Sequence, residues 1–218
     1  MALSGGTTPE TLYRALTSPA FAGHFDWSRA AFFFSDERGV PPDDPRSNYA
    51  LANSALFTPL NITPSQIYRM AGESRDPQAA AKEYEQQLRR TTNTIPSDRP
   101  TLDLVLLGLG EDGHTASLFP GSPALRDTQR LITVTHSPKD PPTRLTMTLG
   151  AINHASVILF LVAGAGKAGI VRAILDPRIE AERQLPASLV VPETGRLIWL
   201  LDRAAAAELP PYQQQTSG

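Results

Sequence analysis

The sequence predicts a single α/β domain with a doubly wound, mostly parallel sheet and helices on both faces. Short apolar runs rich in β-branched and aromatic residues alternate along the chain with segments of helical periodicity. The runs are continuously apolar, which is typical of parallel strands covered on both faces. The proline-rich stretches at 41–45 and 138–142 are too short to be interdomain linkers.

Length and composition support this class. The 218 residues suffice for a sizeable core, and 41% hydrophobic with 19% charged residues is typical of a globular protein. A net charge of -2 argues against a nucleic-acid-binding surface, and the lack of cysteine excludes disulfides and thiolate nucleophiles. We expect one domain over residues 1–210 and a frayed tail over residues 211–218.

The sequence also predicts where in the cell the protein is located. The opening MALSGGTTPE has neither the basic nor the apolar segment of a secretory signal. The longest apolar run, which starts at Val157, is far shorter than a membrane span. We therefore expect a cytoplasmic protein with no membrane or nucleic-acid partner.

Five apolar runs predict the strands. They are Ala30–Ser35, Leu102–Leu107, Leu131–Thr135, Val157–Val162 and Leu197–Leu201. In a doubly wound sheet, ligands bind at the carboxyl ends of the strands. The loops that follow these runs are therefore the places to look for function.

Start signals predict the helices between the strands. Thr7-Thr8-Pro9-Glu10 fits a capping box with proline in the first turn, opening a helix to about Leu16. Ser47 is predicted to cap a helix over residues 48–57, and Asp76-Pro77 to open another over residues 78–90. Two more helices are predicted over Lys167–Leu175 and Asp202–Leu209.

The loop SGGTTPE, residues 4–10, is a candidate phosphate cradle. Gly5 and Gly6 let the backbone approach a ligand closely, and the helix start that follows offers unpaired N–H groups and a positive dipole end. Thr7 adds a hydroxyl donor. The alternative is an ordinary strand-to-helix turn.

A second candidate segment, residues 35–49, follows the aromatic strand. Arg38 lies close to the strand's carboxyl end, where a guanidinium binds a carboxylate, a phosphate or a developing oxyanion. The long proline-rich loop after it suggests a site wall with a lid. The alternative is a surface ion pair of Asp36 or Glu37 with Arg38 or Arg46.

The stretch LLGLGEDGHTASLFPG, residues 106–121, contains G-x-G-x-x-G directly after an apolar run. Three features argue against a dinucleotide site. Glu111 and Asp112 would repel a pyrophosphate, Pro120 stops any following helix early, and the next strand ends without an acid.

The same loop presents Asp112 and His114 at the mouth of the sheet. A histidine with a carboxylate near enough to orient it is suited to general-base catalysis. A purely structural histidine is the alternative.

Two further cations complete the candidate site. Arg144 opens a predicted edge or crossover strand, where its guanidinium faces either the site or solvent. Lys167 starts a helix after the glycines of VAGAGKAG, a position suited to a phosphate, although the Walker A pattern does not fit. No metal-binding histidine spacing is present. Together, the candidate cations, the histidine and the acid indicate a metal-free reaction on a small phosphorylated substrate.

These segments, in this order, resemble the 6-phosphogluconolactonases over nearly the whole chain. The matching blocks are LSGGTTPETLYRAL, SDERGVP, SNYALA, LDLVLLGLGEDGHTASLFPGSP, RLTMTLGAIN, GAGKA, LPASLV and WLLDRAAAAEL. Glucosamine-6-phosphate deaminases share a similar G-x-G-x-D-G-H turn. They continue with an A-F-N-E-P type ending and tend to carry Asp-Glu-Tyr where this chain has Asp36-Glu37-Arg38.

The resemblance implies a Rossmann-like fold of the sugar-phosphate isomerase and deaminase type, with no metal or organic cofactor. It implies His114 as the base in hydrolysis of 6-phosphogluconolactone, with Asp112 or a backbone carbonyl fixing the imidazole. The phosphate-binding residues that it implies are Gly5, Gly6, Thr7 and Lys167. Arg38 and Arg144 would reach the lactone or the phosphate.

One departure concerns the amino-terminal end. The family usually has a helix and most of a strand before its L-S-G-G block, so we expect the first strand here to be a stub and one covering helix to be missing. Whether the protein is a monomer or a homodimer stays open. An amino-sugar-phosphate deaminase and a non-enzymatic sugar-phosphate sensor are the alternative functions.

Overall fold

A parallel five-stranded sheet forms the centre of the protein, in a computed structural model that describes residues 1–92, 94–95, 98–176 and 185–210. The predicted tail, residues 211–218, lies outside the described residues. The strands are β1 (Ala2–Leu3), β2 (Phe33–Phe34), β3 (Asp36–Arg38), β4 (Val105–Leu107), β5 (Ile132–His136), β6 (Thr143–Met147), β7 (Val157–Val162) and β8 (Arg196–Leu201). The central order is β2-β1-β4-β7-β8, with every pairing parallel.

The helices flank this sheet. They are α1 (Thr7–Leu16), α2 (Asn48–Ala52), α3 (Pro77–Thr91), α4 (Leu149–Asn153) and α5 (Ala168–Leu175). As predicted, the side chains of Ser47 and Asp76 cap α2 and α3 by accepting from the backbone N–H groups of Ala50 and Ala79. A π-helical turn, Asn53–Phe57, continues α2, so the helix spans the predicted range. Within the described ranges, no helix combines the length and apolar character of a membrane span.

Alternate residues of the central strands face two hydrophobic cores. Leu3, Phe34 and Leu106 pack with Tyr13 of α1 and with the π-helical turn on one face. Their sequence neighbours pack with α3, α4 and α5 on the other face. Burial on both faces explains why these strands read as continuous apolar runs.

A second, antiparallel sheet of order β3-β6-β5 lies beside the first. The expectation that Leu131–Thr135 joins the parallel sheet is therefore wrong, because β5 pairs in antiparallel register with β6 through a short loop. The chain also changes sheets after β2, where Ser35 separates it from β3. This change carries Asp36, Glu37 and Arg38 out over the edge at which the parallel strands end.

The first strand agrees with the prediction, and the last predicted helix does not. β1 is a two-residue strand, as expected. Residues 203–208 form successive turns rather than the predicted helix over Asp202–Leu209. The Asp202 carboxylate accepts hydrogen bonds from the N–H groups of both Ala205 and Gly164, which ties this segment to the loop after β7. Pro210 follows at once and supplies no N–H for further helical bonding.

Candidate active site

A cleft of about 300 Å³ opens at the carboxyl ends of β1, β4 and β7. Six of the eight predicted site residues line it: Gly5, Gly6, Thr7, Arg38, His114 and Lys167. This position is where doubly wound sheets bind ligands, since the loops after the strands converge there. The other two predicted residues are not part of this lining: Asp112 contacts His114, and Arg144 lies on the strand paired with that of Arg38.

The glycine loop after β1 leads directly into α1. Gly6 is the residue before the helix and has φ 101°, a backbone conformation that favours glycine. The predicted capping box is wrong, because Gly6 occupies the capping position and no side chain bonds the first N–H groups. The helix start is thus left open toward the cleft, as an anion site requires. Tyr13 fixes the loop by donating to the Ser4 carbonyl at 2.7 Å and accepting from the Ser4 N–H at 3.1 Å.

His114 and Asp112 form a hydrogen-bonded pair in the loop after β4. The distance from His114 Nδ1 to Asp112 Oδ1 is 2.5 Å. Gly110 lies against the pair: a Cβ built there would come within 2.0 Å of His114 Nδ1 and 2.5 Å of Asp112 Oδ1. The glycine that first suggested a nucleotide loop therefore makes room for a His–Asp pair.

The ionisation of Asp112 is coupled to this contact. Partial burial opposes its charge, but the hydrogen bonds and charge of His114 outweigh burial and lower the pKa of Asp112. An ionised carboxylate at Nδ1 holds the proton on that nitrogen and leaves Nε2 with a lone pair. The His114 ring also packs against Phe119 at 4.8 Å between centroids, which restricts its orientation.

Glu37 and Asp36 are buried anchors rather than partners in a surface ion pair. Glu37 accepts hydrogen bonds from the backbone N–H groups of Arg38, Asn48 and Tyr49 and from the Ser47 hydroxyl, at 2.7–2.9 Å. Burial nevertheless raises the pKa of Glu37, outweighing these hydrogen bonds.

Asp36 lines the cleft and joins two loops. Its carboxylate accepts from Ser117 Oγ at 2.7 Å, in the loop that carries His114, and from Asn48 Nδ2 at 3.2 Å. Among the described residues, neither Asp36 nor Glu37 forms an ion pair with Arg38 or Arg46, so the surface ion pair considered from the sequence is not formed. Arg38 instead donates to the backbone carbonyl of Arg46.

Arg144 lies in a different place from the one expected. It belongs to β6, the middle strand of the antiparallel sheet, and pairs in register with Arg38 on β3. Its side chain is 7% exposed, so it neither faces solvent nor lines the cleft. Burial and the neighbouring charge of Arg38 lower the pKa of Arg144. The Nε and Nη1 atoms of Arg144 have no hydrogen-bond partner among the described residues.

Two lining residues escaped the sequence analysis. Lys139, in the loop between β5 and β6, faces the cleft, as does Asn48 at the start of α2. Asn48 lies in the SNYALA block but was assigned only to a helix, and Lys139 lies in none of the matching blocks. The sequence offers one signal for Lys139, which is the scarcity of lysine: the chain has three lysines, at positions 82, 139 and 167. Lys139 and Lys167 both line this cleft.

The cations of the cleft are available for a ligand. In the part of the chain that the structure describes, Arg38, Lys139 and Lys167 make no ion pair with a carboxylate. Asp36 and Glu111 line the same cleft, so acidic groups are near without neutralising them. Within the described ranges, no cluster of three or more histidine and acidic side chains is arranged to hold a metal ion.

Comparison with known proteins identifies the family. The profile described as glucosamine-6-phosphate isomerases/6-phosphogluconolactonase matches residues 1–199. The chain belongs to this family. The predicted family is therefore confirmed, and the mostly parallel central sheet with flanking helices confirms the predicted fold class.

Individual relatives of the isomerase/lactonase family narrow the comparison. The chain is 43% identical to a 6-phosphogluconolactonase of Synechocystis over 97% of its own length and 85% of the relative's. It is 38% identical to the human 6-phosphogluconolactonase, covering 100% of this chain and 83% of that protein. The solved 6-phosphogluconolactonase of Trypanosoma brucei superposes with a TM-score of 0.80 at 29% identity, covering 96% and 85% of the two chains.

Proposed function

We propose that this protein is a 6-phosphogluconolactonase, which hydrolyses 6-phospho-D-glucono-1,5-lactone to 6-phosphogluconate in the oxidative pentose phosphate pathway. The observation that carries the proposal is the His114–Asp112 pair at a cleft whose cations make no ion pair with a carboxylate of the described residues. The lactonase relatives, at about 40% identity over nearly the whole chain, support this choice within a family that also includes isomerases.

His114 acts as the general base. Its Nε2 takes a proton from water, and the water oxygen forms a bond to the C1 carbonyl carbon of the lactone. Asp112 holds the imidazole in the required tautomer and stabilises the imidazolium that forms. When the tetrahedral intermediate collapses, the bond from C1 to the ring oxygen breaks, and His114 returns the proton to that oxygen.

Charge at the two ends of the substrate is bound separately. The phosphate is bound by Gly5, Gly6 and Thr7 at the open start of α1, with Lys167 as a point charge. Arg38 stabilises the oxyanion that develops at C1. Arg144, buried beside Arg38, contributes through its charge and through support of the Arg38 strand. Binding of the remote phosphate thus orients the carbonyl toward the base.

The proposal extends to the location of the enzyme, its partners and its cofactors. A cysteine-free sequence with a net charge of -2 supports a cytoplasmic enzyme whose partner is a small molecule rather than a nucleic acid. The chemistry above assigns no role to a metal or an organic cofactor. The proposal covers both a monomer and a homodimer.

The direct test is lactone hydrolysis. The lactone is generated by oxidation of glucose 6-phosphate, and release of acid is followed with a pH indicator after subtraction of the spontaneous rate. We expect strong acceleration by the wild-type chain. Absence of acceleration, or release of ammonia from glucosamine 6-phosphate, would refute the lactonase assignment.

A further inference from the structure

Lys139 reaches the cleft from outside the parallel sheet. It lies in the loop between β5 and β6, while the glycine loop, His114 and Lys167 all follow strands of the central sheet. Its own loop fixes its backbone: the Ser137 N–H donates to the Pro142 carbonyl at 2.7 Å, and the Lys139 N–H donates to Ser137 Oγ at 3.0 Å. Lys139 is exposed, and it makes no ion pair among the described residues.

Arg46 connects the Lys139 loop to the Arg38 loop. The Arg46 guanidinium donates to Asp140 at 2.8 Å, directly after Lys139 in the chain, and also binds Asp44 of its own loop. The carbonyl of Arg46 accepts from the Arg38 guanidinium. Lys139 and Arg38 are therefore held at the same side of the cleft by one residue.

Lys167 belongs to the opposite side. It follows β7, whereas Arg38 follows β2, and strands β1 and β4 stand between β2 and β7. Three interstrand spacings separate β2 from β7 by roughly 14 Å. The cleft consequently has Lys167 at one side and Arg38 with Lys139 at the other, and the start of α1, after β1, and His114, after β4, lie between them.

We propose that Lys139 is a substrate-binding residue for the C1 end of the ligand. Its ammonium acts with Arg38 on the C1 oxygen of the lactone and on the carboxylate of the acid product. This inference rests on the proposed lactonase function. The start of α1 and Lys167 already supply an anion site for the phosphate. Product bound there still carries a carboxylate, and that group needs its own cation at the other end.

The test compares two ligands that share the phosphate. 6-Phosphogluconate carries a carboxylate at C1, and glucitol 6-phosphate carries a neutral hydroxyl there. We expect Lys139→Gln to raise the calorimetric dissociation constant of 6-phosphogluconate by roughly 5- to 10-fold, the effect of one charged hydrogen bond in a solvated cleft. The constant for glucitol 6-phosphate should change by less than about twofold. The same variant should lower kcat, because the oxyanion forms at C1.

Two other lysine variants calibrate the result. Lys167→Gln should weaken both ligands by a similar factor, and Lys82→Gln, on the exposed side of α3, should weaken neither. Equal weakening of both ligands by Lys139→Gln would make Lys139 a phosphate ligand and overturn the inference. Unchanged affinity for both would also overturn it. Failure of the lactonase assignment appears separately, as a wild-type chain that does not accelerate lactone hydrolysis.

Discussion

The imidazole of His114 and the carboxylate of Asp112 meet at 2.5 Å, two residues apart in the loop after β4. This contact is local in sequence but depends on a tight turn, in which the Gly110 N–H donates to the His114 carbonyl at 2.8 Å. The turn brings the two side chains together at the edge of the cleft. A base and its orienting acid are thereby built into a single short loop.

Replacement of the base should abolish most of the catalysis. We expect His114→Ala to lower kcat by roughly 10²- to 10⁴-fold, the range for loss of a general base, with a smaller effect on KM. The measurement is the lactonase assay with spontaneous hydrolysis subtracted. His136→Ala is the matched control, because His136 is exposed and lies outside the cleft lining. A kcat near that of the wild type would remove His114 from the mechanism.

Gly110 should be essential for the position of the base. The Cβ introduced by Gly110→Ala overlaps His114 Nδ1 and Asp112 Oδ1, so the pair must separate or move. We expect roughly a 100-fold loss of kcat, the effect of a small misplacement of a reacting group. Gly23→Ala, where nothing lies within 4 Å of the added atom, is the control. Full activity of Gly110→Ala would show that contact between His114 and Asp112 is dispensable.

The sequence predicted the central sheet well, for a physical reason. Strands that are buried on both faces must be apolar throughout, and β4 and β7 overlap the predicted runs closely. β8 also overlaps its predicted run, although this edge strand is largely exposed. The helix caps at Ser47 and Asp76 were predicted equally well, because each capping side chain accepts a hydrogen bond from an N–H group three residues away.

The antiparallel sheet could not be predicted from the sequence in the same way. β3 consists of Asp36, Glu37 and Arg38, a charged triplet that resembles an exposed loop. Its burial depends on hydrogen bonds to Glu37 from residues 10 to 12 positions along the chain. Such satisfaction of a buried charge by backbone N–H groups leaves no periodic pattern. The place of Arg144 in the middle of this sheet depends on the pairing of β6 with β3 and β5, which no local pattern around Arg144 encodes.

The candidate site was predicted where it follows a strand of the central sheet. Glycines, a histidine and a lysine directly after apolar runs indicated the glycine loop, His114 and Lys167. Lys139 was missed because its place beside the cleft depends on the pairing of β6 with β3, whose residues are distant in sequence, and on the exposed contact between Arg46 and Asp140, 94 residues apart. No property of the segment around Lys139 encodes that contact.

Glu37 should make stability depend on pH. Its pKa is raised by burial, so between its usual value and the higher folded value the native state binds more protons than the unfolded state. The free energy of unfolding contributed by Glu37 therefore falls as pH rises through that window. Glu37→Gln has no such proton to lose, although it forfeits hydrogen bonds and should be less stable by about 1–3 kcal/mol at acidic pH.

The measurement for Glu37 is urea unfolding of both proteins from pH 4.5 upward to about pH 8, a range chosen to span the expected window. We expect the stability gap between wild type and Glu37→Gln to narrow as pH rises. A gap that widens would mean that the four hydrogen bonds to the carboxylate outweigh burial. Glu83→Gln, on the exposed side of α3, should show a gap that is small and independent of pH.

Lys167 should bind substrate without taking part in the proton transfers. It stands at the start of α5, lines the cleft and makes no ion pair among the described residues, so its charge is available to the phosphate. Lys167→Ala removes binding energy that is the same in the ground state and the transition state, which raises KM and leaves kcat nearly unchanged. We expect KM to rise roughly 10- to 100-fold, the range for one charge-assisted hydrogen bond. Initial rates over a wide range of lactone concentration measure both constants, with Lys82→Ala as the control. A fall in kcat at unchanged KM would contradict the phosphate-binding role and would place Lys167 near the reacting carbonyl instead.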